Sequence, residues 1–137
     1  MSLKNIKIVL LTLTIILIIA SVVNYLSFSS GVITINGKTL HVQIADNMYL
    51  RHKGLSNIKH YQYDGMLFIF NEDKVYHFQS LQMRFPLVIC SLKKIALKEF
   101  SLNECFDFPI KKLISIKGKY IIEIPKNKFP AQIDKTP

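Results

Sequence analysis

The chain has 137 residues, a formal net charge of +9, and a hydrophobic share of one half. This length has room for one ordinary domain beside a single membrane segment. Only Arg51 and Arg84 among the eighteen basic residues are arginine, and the lysines are scattered along the chain. The charge therefore does not indicate a nucleic-acid partner.

An almost unbroken apolar run covers residues 6–28, and Lys7 is its only charged residue. The run is long enough to cross a bilayer as a helix. We expect residues 1–29 to be a transmembrane anchor with Lys4 and Lys7 inside, or a signal peptide that is cleaved. The length of the run favours the anchor. A core helix of a soluble protein is disfavoured, because so small a chain has little to bury an all-round apolar surface against.

Both versions of this prediction place residues 30–137 outside the cytoplasm as one β-rich domain. The retained anchor would make the protein a single-pass component of the inner or cell membrane, with its C-terminal domain extracytoplasmic. Cleavage would instead leave a periplasmic or secreted domain. The membrane, reached through residues 6–28, is the first predicted partner.

Residues 32–45 alternate between apolar and polar side chains about the dipeptide Asn36-Gly37. Asn-Gly readily supplies the two positive φ angles of a type I′ turn, so the pattern predicts a β-hairpin. Pairing across this turn places Ile33 opposite Leu40 and puts the apolar side chains of both strands on one face.

A short helix is predicted next, with Asp46 as its N-cap and Gly54 at its end. Further strands are predicted at residues 66–70, 75–81, 86–92 and 95–100, and as a pair meeting at Lys117-Gly118. Many short strands with one helix indicate a mainly β fold, either a small barrel or a sandwich-like domain. The tail from Ala131 is expected to be loose.

The sequence contains no recognisable catalytic, metal or cofactor motif. Cys90 and Cys105 fit neither a metal spacing nor a C-x-x-C motif, so in an oxidising compartment they form a disulfide or remain small buried hydrophobes. No serine lies in a Gly-x-Ser-x-Gly context, and no Gly-rich phosphate loop is present. The sequence therefore predicts no metal site, no cofactor and no catalytic residue. The histidines, which show no ligand spacing, are His41, His52, His60 and His77.

Several segments resemble the domain-of-unknown-function 192 family, in the family's order, from about residue 40 to residue 125. They are HVQIAD, RHKGL at the predicted helix end, DGMLFIF, FPLVI and KYIIEIP. The resemblance implies a mostly β fold with one short helix and an exported protein. It implies no reaction, because none is assigned to the family. The family's Trp-Met-Lys-Asn-Thr stretch and its aspartate after Pro-Leu are replaced here by Gln79, Ser80, Leu81, Gln82, Met83 and Val88.

We therefore predict an envelope binding or interaction module, with an envelope protein or a small ligand as its partner. The hypothetical binding site consists of Arg51, Gln82 and Glu123. Because Val88 replaces the family's aspartate, Glu123 is the candidate partner for the Arg51 charge. The alternative for Arg51 is a solvated cation at the helix end. The alternative functions are an enzyme with a cryptic polar site at the same three residues and a purely structural envelope protein.

A second predicted surface is the loop at residues 55–64, because loops on a rigid scaffold often carry recognition. Its hypothetical contact residues are Asn57, Lys59, His60 and Tyr61. Aromatic side chains on and after this loop either line a binding site or pack in the core, and core packing is favoured. These side chains are Tyr61, Tyr63, Phe68, Phe70, Tyr76, Phe78 and Phe85.

Overall fold

The computed structural model describes residues 2–129, so the tail from Ala131 lies outside the described residues. Two helices and six strands make up the fold. They are α1 (Leu3–Leu26), β1 (Ser29–Ile35), β2 (Lys38–Ala45), α2 (Met48–Lys53), β3 (Gly65–Gln79), β4 (Leu87–Ala96), β5 (Glu99–Phe108) and β6 (Leu113–Pro125), followed by a 3-10 turn at Lys126–Lys128.

The six strands close into a barrel in the order β1-β2-β3-β6-β4-β5. The parallel pair of β1 and β5, at Thr34 opposite Glu99 and Ile35 opposite Phe100, completes the ring. This architecture confirms the predicted mainly β fold with one short helix behind an apolar N-terminal helix. Closure of the sheet selects the barrel over the sandwich-like alternative.

Helix α1 is long and apolar enough to cross a membrane. None of its residues is buried against the barrel. Its hydroxyl side chains donate to carbonyl oxygens one turn earlier, as Thr12 Oγ1 does to Ile8 O at 2.9 Å and Ser21 Oγ does to Leu17 O at 2.9 Å. These polar groups are thus satisfied within the helix, as a lipid environment requires.

The first hairpin forms as the sequence predicts. Asn36 and Gly37 have φ angles of 47° and 81°, and Ile33 pairs with Leu40. The helix prediction needs one correction, because Asn47 rather than Asp46 caps α2. The Oδ1 atom of Asn47 accepts a hydrogen bond from Leu50 N at 2.9 Å.

The predicted strands were wrong in several of their boundaries. Residues 66–70 and 75–79 belong to one strand, β3, whose pairing with β6 shifts register between Ile69 and Lys74. Ser80 and Leu81, the end of the predicted 75–81 strand, lie beyond β3. Residues 86–92 fall on β4, which begins at Leu87. Residues 95–100 are not one strand, because they cover the end of β4, a turn at Lys98 with a φ angle of 60°, and the start of β5.

Lys117-Gly118 is not a turn but the middle of β6, where Gly118 pairs with Lys74. A Cβ atom on Gly118 would lie 3.2 Å from Ser91 Cβ, so the glycine here permits a close approach between strands rather than a reversal of the chain.

The barrel has an apolar layer on each side of its sheet. The inner core receives side chains from every strand, among them Val42, Leu67 and Ile122. The outer core lies between the sheet and α2 and contains Leu50 and Ile121. Strand β6 therefore buries both of its faces near its end, and residue 123 belongs to the outer layer.

The structure joins Cys90 and Cys105, which face each other on β4 and β5, in a disulfide. Reduction is expected to lower the free energy of unfolding by about 3 kcal/mol, because the bond closes a loop with a sequence separation of 15. Urea unfolding of the full chain in detergent micelles, with and without dithiothreitol, measures the effect. The Cys90→Ala/Cys105→Ala variant is the control and should not respond to the reductant. Equal midpoints for the oxidised and reduced wild type would contradict this prediction.

Candidate functional site

A cleft of about 460 Å³ opens between α2 and β3. Its lining combines apolar, aromatic and ionisable side chains, and we call it the α2 cleft. It is lined by Met48, Arg51, His52, Gly54, Leu55, Ser56, Phe68, Phe70, Tyr76, His77, Phe78, Gln79, Met83, Leu113 and Glu123.

Glu123 lies in the wall of this cleft and is only 4% exposed. Its carboxyl group forms no ion pair or hydrogen bond with any of residues 2–129. Every fully enclosed side-chain oxygen in this range has a partner, so the unpartnered carboxyl oxygens of Glu123 keep some accessible surface, and Glu123 lines the α2 cleft. Burial raises the pKa of Glu123 to about 8. The carboxyl group is therefore mostly protonated at neutral pH.

Arg51 connects α2 to β3. Its Nη1 atom donates to Asp46 O at 2.7 Å and to Ile69 O at 2.8 Å, at the point where the register of β3 shifts. The guanidinium group also lies 5.1 Å from the centre of the Phe70 ring. These contacts use both hydrogens of Nη1 and leave the donors on Nη2 and Nε for another partner.

Aromatic rings form the wall opposite α2. Phe70 stacks on Tyr76 with 3.6 Å between ring centres, and Phe78 meets Phe68 edge to face at 5.2 Å. The sequence left open whether these aromatic rings line a binding site or pack in the core. In the structure they line the cleft and also belong to the outer core or pack against it. Apolar, electron-rich surfaces of this kind accept the apolar body of a ligand or a cation.

Tyr61 lies on the neighbouring loop and does not line the α2 cleft. Its hydroxyl group donates to Gly65 O at 2.9 Å. Burial raises the pKa of Tyr61 well above its ordinary value, and the charge of Glu123 contributes in the same direction. This phenol is therefore neutral at any physiological pH.

His77 and Ser115 face each other across β3 and β6, and His77 Nδ1 lies 2.7 Å from Ser115 Oγ. A serine hydrolase would need a third group that orients the histidine. No such carboxylate bonds to His77 among residues 2–129. The pair is a cross-strand contact on an exposed part of the sheet.

The predicted triplet of Arg51, Gln82 and Glu123 converges only in part. Arg51 and Glu123 line the same cleft, but Gln82 lies outside it. Gln82 O accepts from Asn57 N at 2.8 Å, and the Gln82 side chain lies 3.4 Å from Asn57 Nδ2. Gln82 thus fixes the loop rather than contributing to the cleft, and Gln79 and Met83 are the residues from this stretch that line it.

The predicted ion pair between Arg51 and Glu123 was wrong. Neither residue takes part in a salt bridge among residues 2–129. Val88, at the position of the family's aspartate, faces the inner core, whereas Arg51 and Glu123 lie on the outer side of the sheet. A charge missing at residue 88 therefore leaves Arg51 unaffected, and backbone carbonyls hold the guanidinium group instead.

The predicted contact loop divides between two places. Asn57 pairs with Gln82, while Lys59, His60 and Tyr61 line a second cleft of about 430 Å³. Lys128 reaches this second cleft and donates to Tyr61 O at 2.6 Å and to Tyr63 O at 2.8 Å. Sequence analysis missed Lys128, and also the place of His52 and His77 in the α2 cleft. Nothing in the sequence near these residues indicates contacts over such separations.

Arg51→Met is expected to lower the free energy of unfolding by about 1–3 kcal/mol, because it removes two hydrogen bonds from a charged group. The effects of Arg51→Met and Glu123→Gln should add to within about 0.5 kcal/mol, since the two groups share no direct bond. Urea unfolding of the single and double variants measures both quantities. A large coupling energy would show that the two charges interact after all.

Comparison with known proteins places this fold among uncharacterised relatives. The structure resembles that of a protein from Sinorhizobium meliloti 1021 named as a candidate transcription regulator, with a TM-score of 0.63 and 20% identity over 81% of this chain and 91% of that one. It also resembles a protein of unknown function from Novosphingobium aromaticivorans DSM 12444, with a TM-score of 0.51 and 14% identity over 72% of this chain and 73% of that one. At these identities the likeness establishes a shared fold.

None of the curated proteins matches the chain. The profile of a family described as an uncharacterised ACR, the domain-of-unknown-function 192 family, matches residues 31–133. This match covers the barrel and confirms the resemblance drawn from the sequence. The chain therefore belongs to the domain-of-unknown-function 192 family.

Proposed function

We propose that this protein is a membrane-anchored, extracytoplasmic binding domain that holds a small ligand with a cationic amine in the α2 cleft. The observation that carries the proposal is Glu123, a buried carboxyl group that faces a cleft without a partner from the described chain. A buried acid is costly unless it is paired, so a charged partner supplied by a ligand would stabilise it.

An ammonium group fits the chemistry of this cleft. Its N–H groups would donate to the carboxylate, and the rings of Phe70, Tyr76 and Phe78 would surround the cation and its apolar substituent. Ionising Glu123 at pH 7 costs roughly 1.4 kcal/mol for a pKa of about 8. A charge-assisted hydrogen bond contributes about 1.5–3 kcal/mol, which is enough to offset that cost.

Two features support the extracytoplasmic location. Helix α1 has the length and composition of a membrane span, with Lys4 and Lys7 at the end that the positive-inside rule assigns to the cytoplasm. The disulfide between Cys90 and Cys105 suits an oxidising compartment. A fusion of alkaline phosphatase to the C-terminus should be active in cells. An inactive fusion, together with activity of a cytoplasmic reporter fused at the same place, would contradict this location.

The ligand class is tested with two probes of similar size and opposite charge, phenethylamine and 3-phenylpropionate. Calorimetric titration of the full chain in detergent micelles should detect binding of phenethylamine and no binding of 3-phenylpropionate. Glu123→Gln should weaken amine binding at least tenfold, whereas Glu104→Gln, the same change at an exposed site on β5, should not. Binding of the acid, or amine binding that Glu123→Gln leaves unchanged, would contradict the proposal.

The pH dependence of binding gives a second readout. Below pH 8 the ionised fraction of Glu123 falls about tenfold for each pH unit, so the dissociation constant for phenethylamine should rise by the same factor. A neutral carboxyl group that donates to a ligand carbonyl would show the opposite trend. Titrations at three pH values between 6 and 8 distinguish the two modes.

A further inference from the structure

Helix α2, which forms one wall of the α2 cleft, contacts the end of α1 at two points. Asn47, which caps α2, donates from Nδ2 to Tyr25 O in the last turn of α1 at 3.0 Å. At the other end of α2, Lys53 Nζ lies 5.4 Å from the centre of the Phe28 ring, two residues beyond α1. Because α2 is only about 9 Å long, the cleft that it borders is within reach of the surface from which α1 emerges.

The mouth of this cleft carries exposed apolar side chains. Met48 from α2 and Leu113 from the start of β6 both line the cleft, and they are 76% and 71% exposed. Tyr49 is also exposed, and His52 and Lys53 follow it on α2. Apolar and aromatic side chains next to basic ones are the composition of an element that rests in the interface of a membrane.

Two groups that can carry opposite charges line the cleft. The carboxyl group of Glu123 lacks a partner from residues 2–129, and the guanidinium group of Arg51 keeps the donors of Nη2 and Nε after Nη1 has bonded to two carbonyls. A ligand that satisfies both must carry an ammonium group and an anion, and Arg is well suited to bind a phosphate.

We propose that the α2 cleft binds the phosphoethanolamine headgroup of a membrane lipid, which enters from the bilayer surface beside α1. The ammonium group bonds to Glu123 and the phosphate to Arg51, while the acyl chains leave between Met48 and Leu113 and remain in the bilayer. This inference rests on the proposed function and names the ligand class for that site.

The test uses the full chain in three kinds of nanodisc. One contains phosphatidylcholine alone, one adds phosphatidylethanolamine, and one adds phosphatidylglycerol. Phosphatidylcholine is the matched control, because it has the same charges as phosphatidylethanolamine but no N–H group that could donate to Glu123. Hydrogen–deuterium exchange of peptides that cover Met48–Lys53 and Gly65–Gln79 reports occupancy.

Exchange in these peptides should be about tenfold slower with phosphatidylethanolamine than with phosphatidylcholine alone, the effect of a ligand at roughly ten times its dissociation constant. Glu123→Gln and Arg51→Met should each abolish this difference, and Glu104→Gln should preserve it. Equal exchange with phosphatidylethanolamine and phosphatidylcholine, or equal protection by phosphatidylglycerol, would overturn the inference.

Soluble glycerophosphoethanolamine, added to nanodiscs of phosphatidylcholine, separates the two sources of the headgroup. Protection as strong as that given by the lipid would assign the site to a dissolved ligand and overturn the membrane source, while the proposed function would stand. Binding of phenethylamine with no response to phosphatidylethanolamine would likewise remove only this inference. If the chain responded neither to phenethylamine nor to phosphatidylethanolamine, the proposed function would be overturned as well.

Discussion

Glu123→Gln is expected to raise the free energy of unfolding by about 3–5 kcal/mol at pH 9 and to change it little at pH 4. Burial raises the pKa of Glu123 from 4.5 to about 8 in the folded chain. Glutamine has the shape of the protonated acid and cannot ionise. The substitution therefore removes the cost of a buried negative charge without opening a cavity.

The sign follows from proton binding in the two states. Between pH 4.5 and 8 the folded chain keeps a proton on Glu123 that the unfolded chain has lost, so the contribution of this group to stability falls as the pH rises. It is fully present below pH 4.5 and is lost by the time the pH passes 8. The difference between wild type and variant isolates this group from all others that titrate.

Urea unfolding of the full chain in detergent micelles from pH 4 to pH 9 measures the difference, with Glu104→Gln as the control for removing an exposed negative charge. The control should stay within about 0.5 kcal/mol of the wild type throughout. A Glu123→Gln curve parallel to that of the wild type would show that the carboxyl group ionises in the folded chain as easily as in water.

Gly65→Ala is expected to lower the free energy of unfolding by about 2–4 kcal/mol, because an added methyl group has no space. A Cβ atom on Gly65 would lie 2.8 Å from the backbone oxygen of Glu123, 3.1 Å from Ile124 Cγ1 and 3.2 Å from Ile122 Cδ1. The nearest of these atoms belongs to the main chain of a neighbouring strand, so it cannot swing away. The strand that carries Glu123 must move instead.

Gly31→Ala provides the matched control on β1. Its Cβ atom would meet Ile44 Cδ1 at 3.5 Å, which is an ordinary contact, so we expect a change within about 0.5 kcal/mol. Urea midpoints of the two variants give the comparison. Phenethylamine titration of Gly65→Ala should also show weaker binding, because the wall of the α2 cleft that contains Glu123 is displaced. Equal stability of the two variants would mean that β3 and β6 separate easily at this point.

The features that the sequence predicts well are local. The Asn36-Gly37 turn, its register and the short helix that ends at Gly54 depend on residues within a few positions of one another. The path of β3 was not predictable in the same way. Its strand continues through the register shift between Ile69 and Lys74 because β6 accompanies it, and β6 lies far away in the sequence.

The site also combines residues that the sequence indicates with residues that only the fold brings together. Arg51 and Glu123 can be proposed from the sequence because the family resemblance marks both positions, and the fold brings them to one cleft. Gln82 does not line the cleft with them. Alignment to a polar family position says nothing about the side of the loop on which a side chain lies. His77 and Leu113 reach the cleft only through the pairing of β3 with β6, which no pattern in either segment indicates.

The place of β6 between β3 and β4 has a consequence for the order in which the chain can fold. Strand β6 is synthesised after the other five strands, yet both of its neighbours depend on it for their hydrogen bonds. A nascent chain that ends before Leu113 can form the β1–β2 and β4–β5 hairpins but leaves β3 and β4 with an open edge each. Until β6 has been synthesised, the open edges of β3 and β4 can pair with strands of other chains. A chain truncated before Leu113 should therefore aggregate rather than fold.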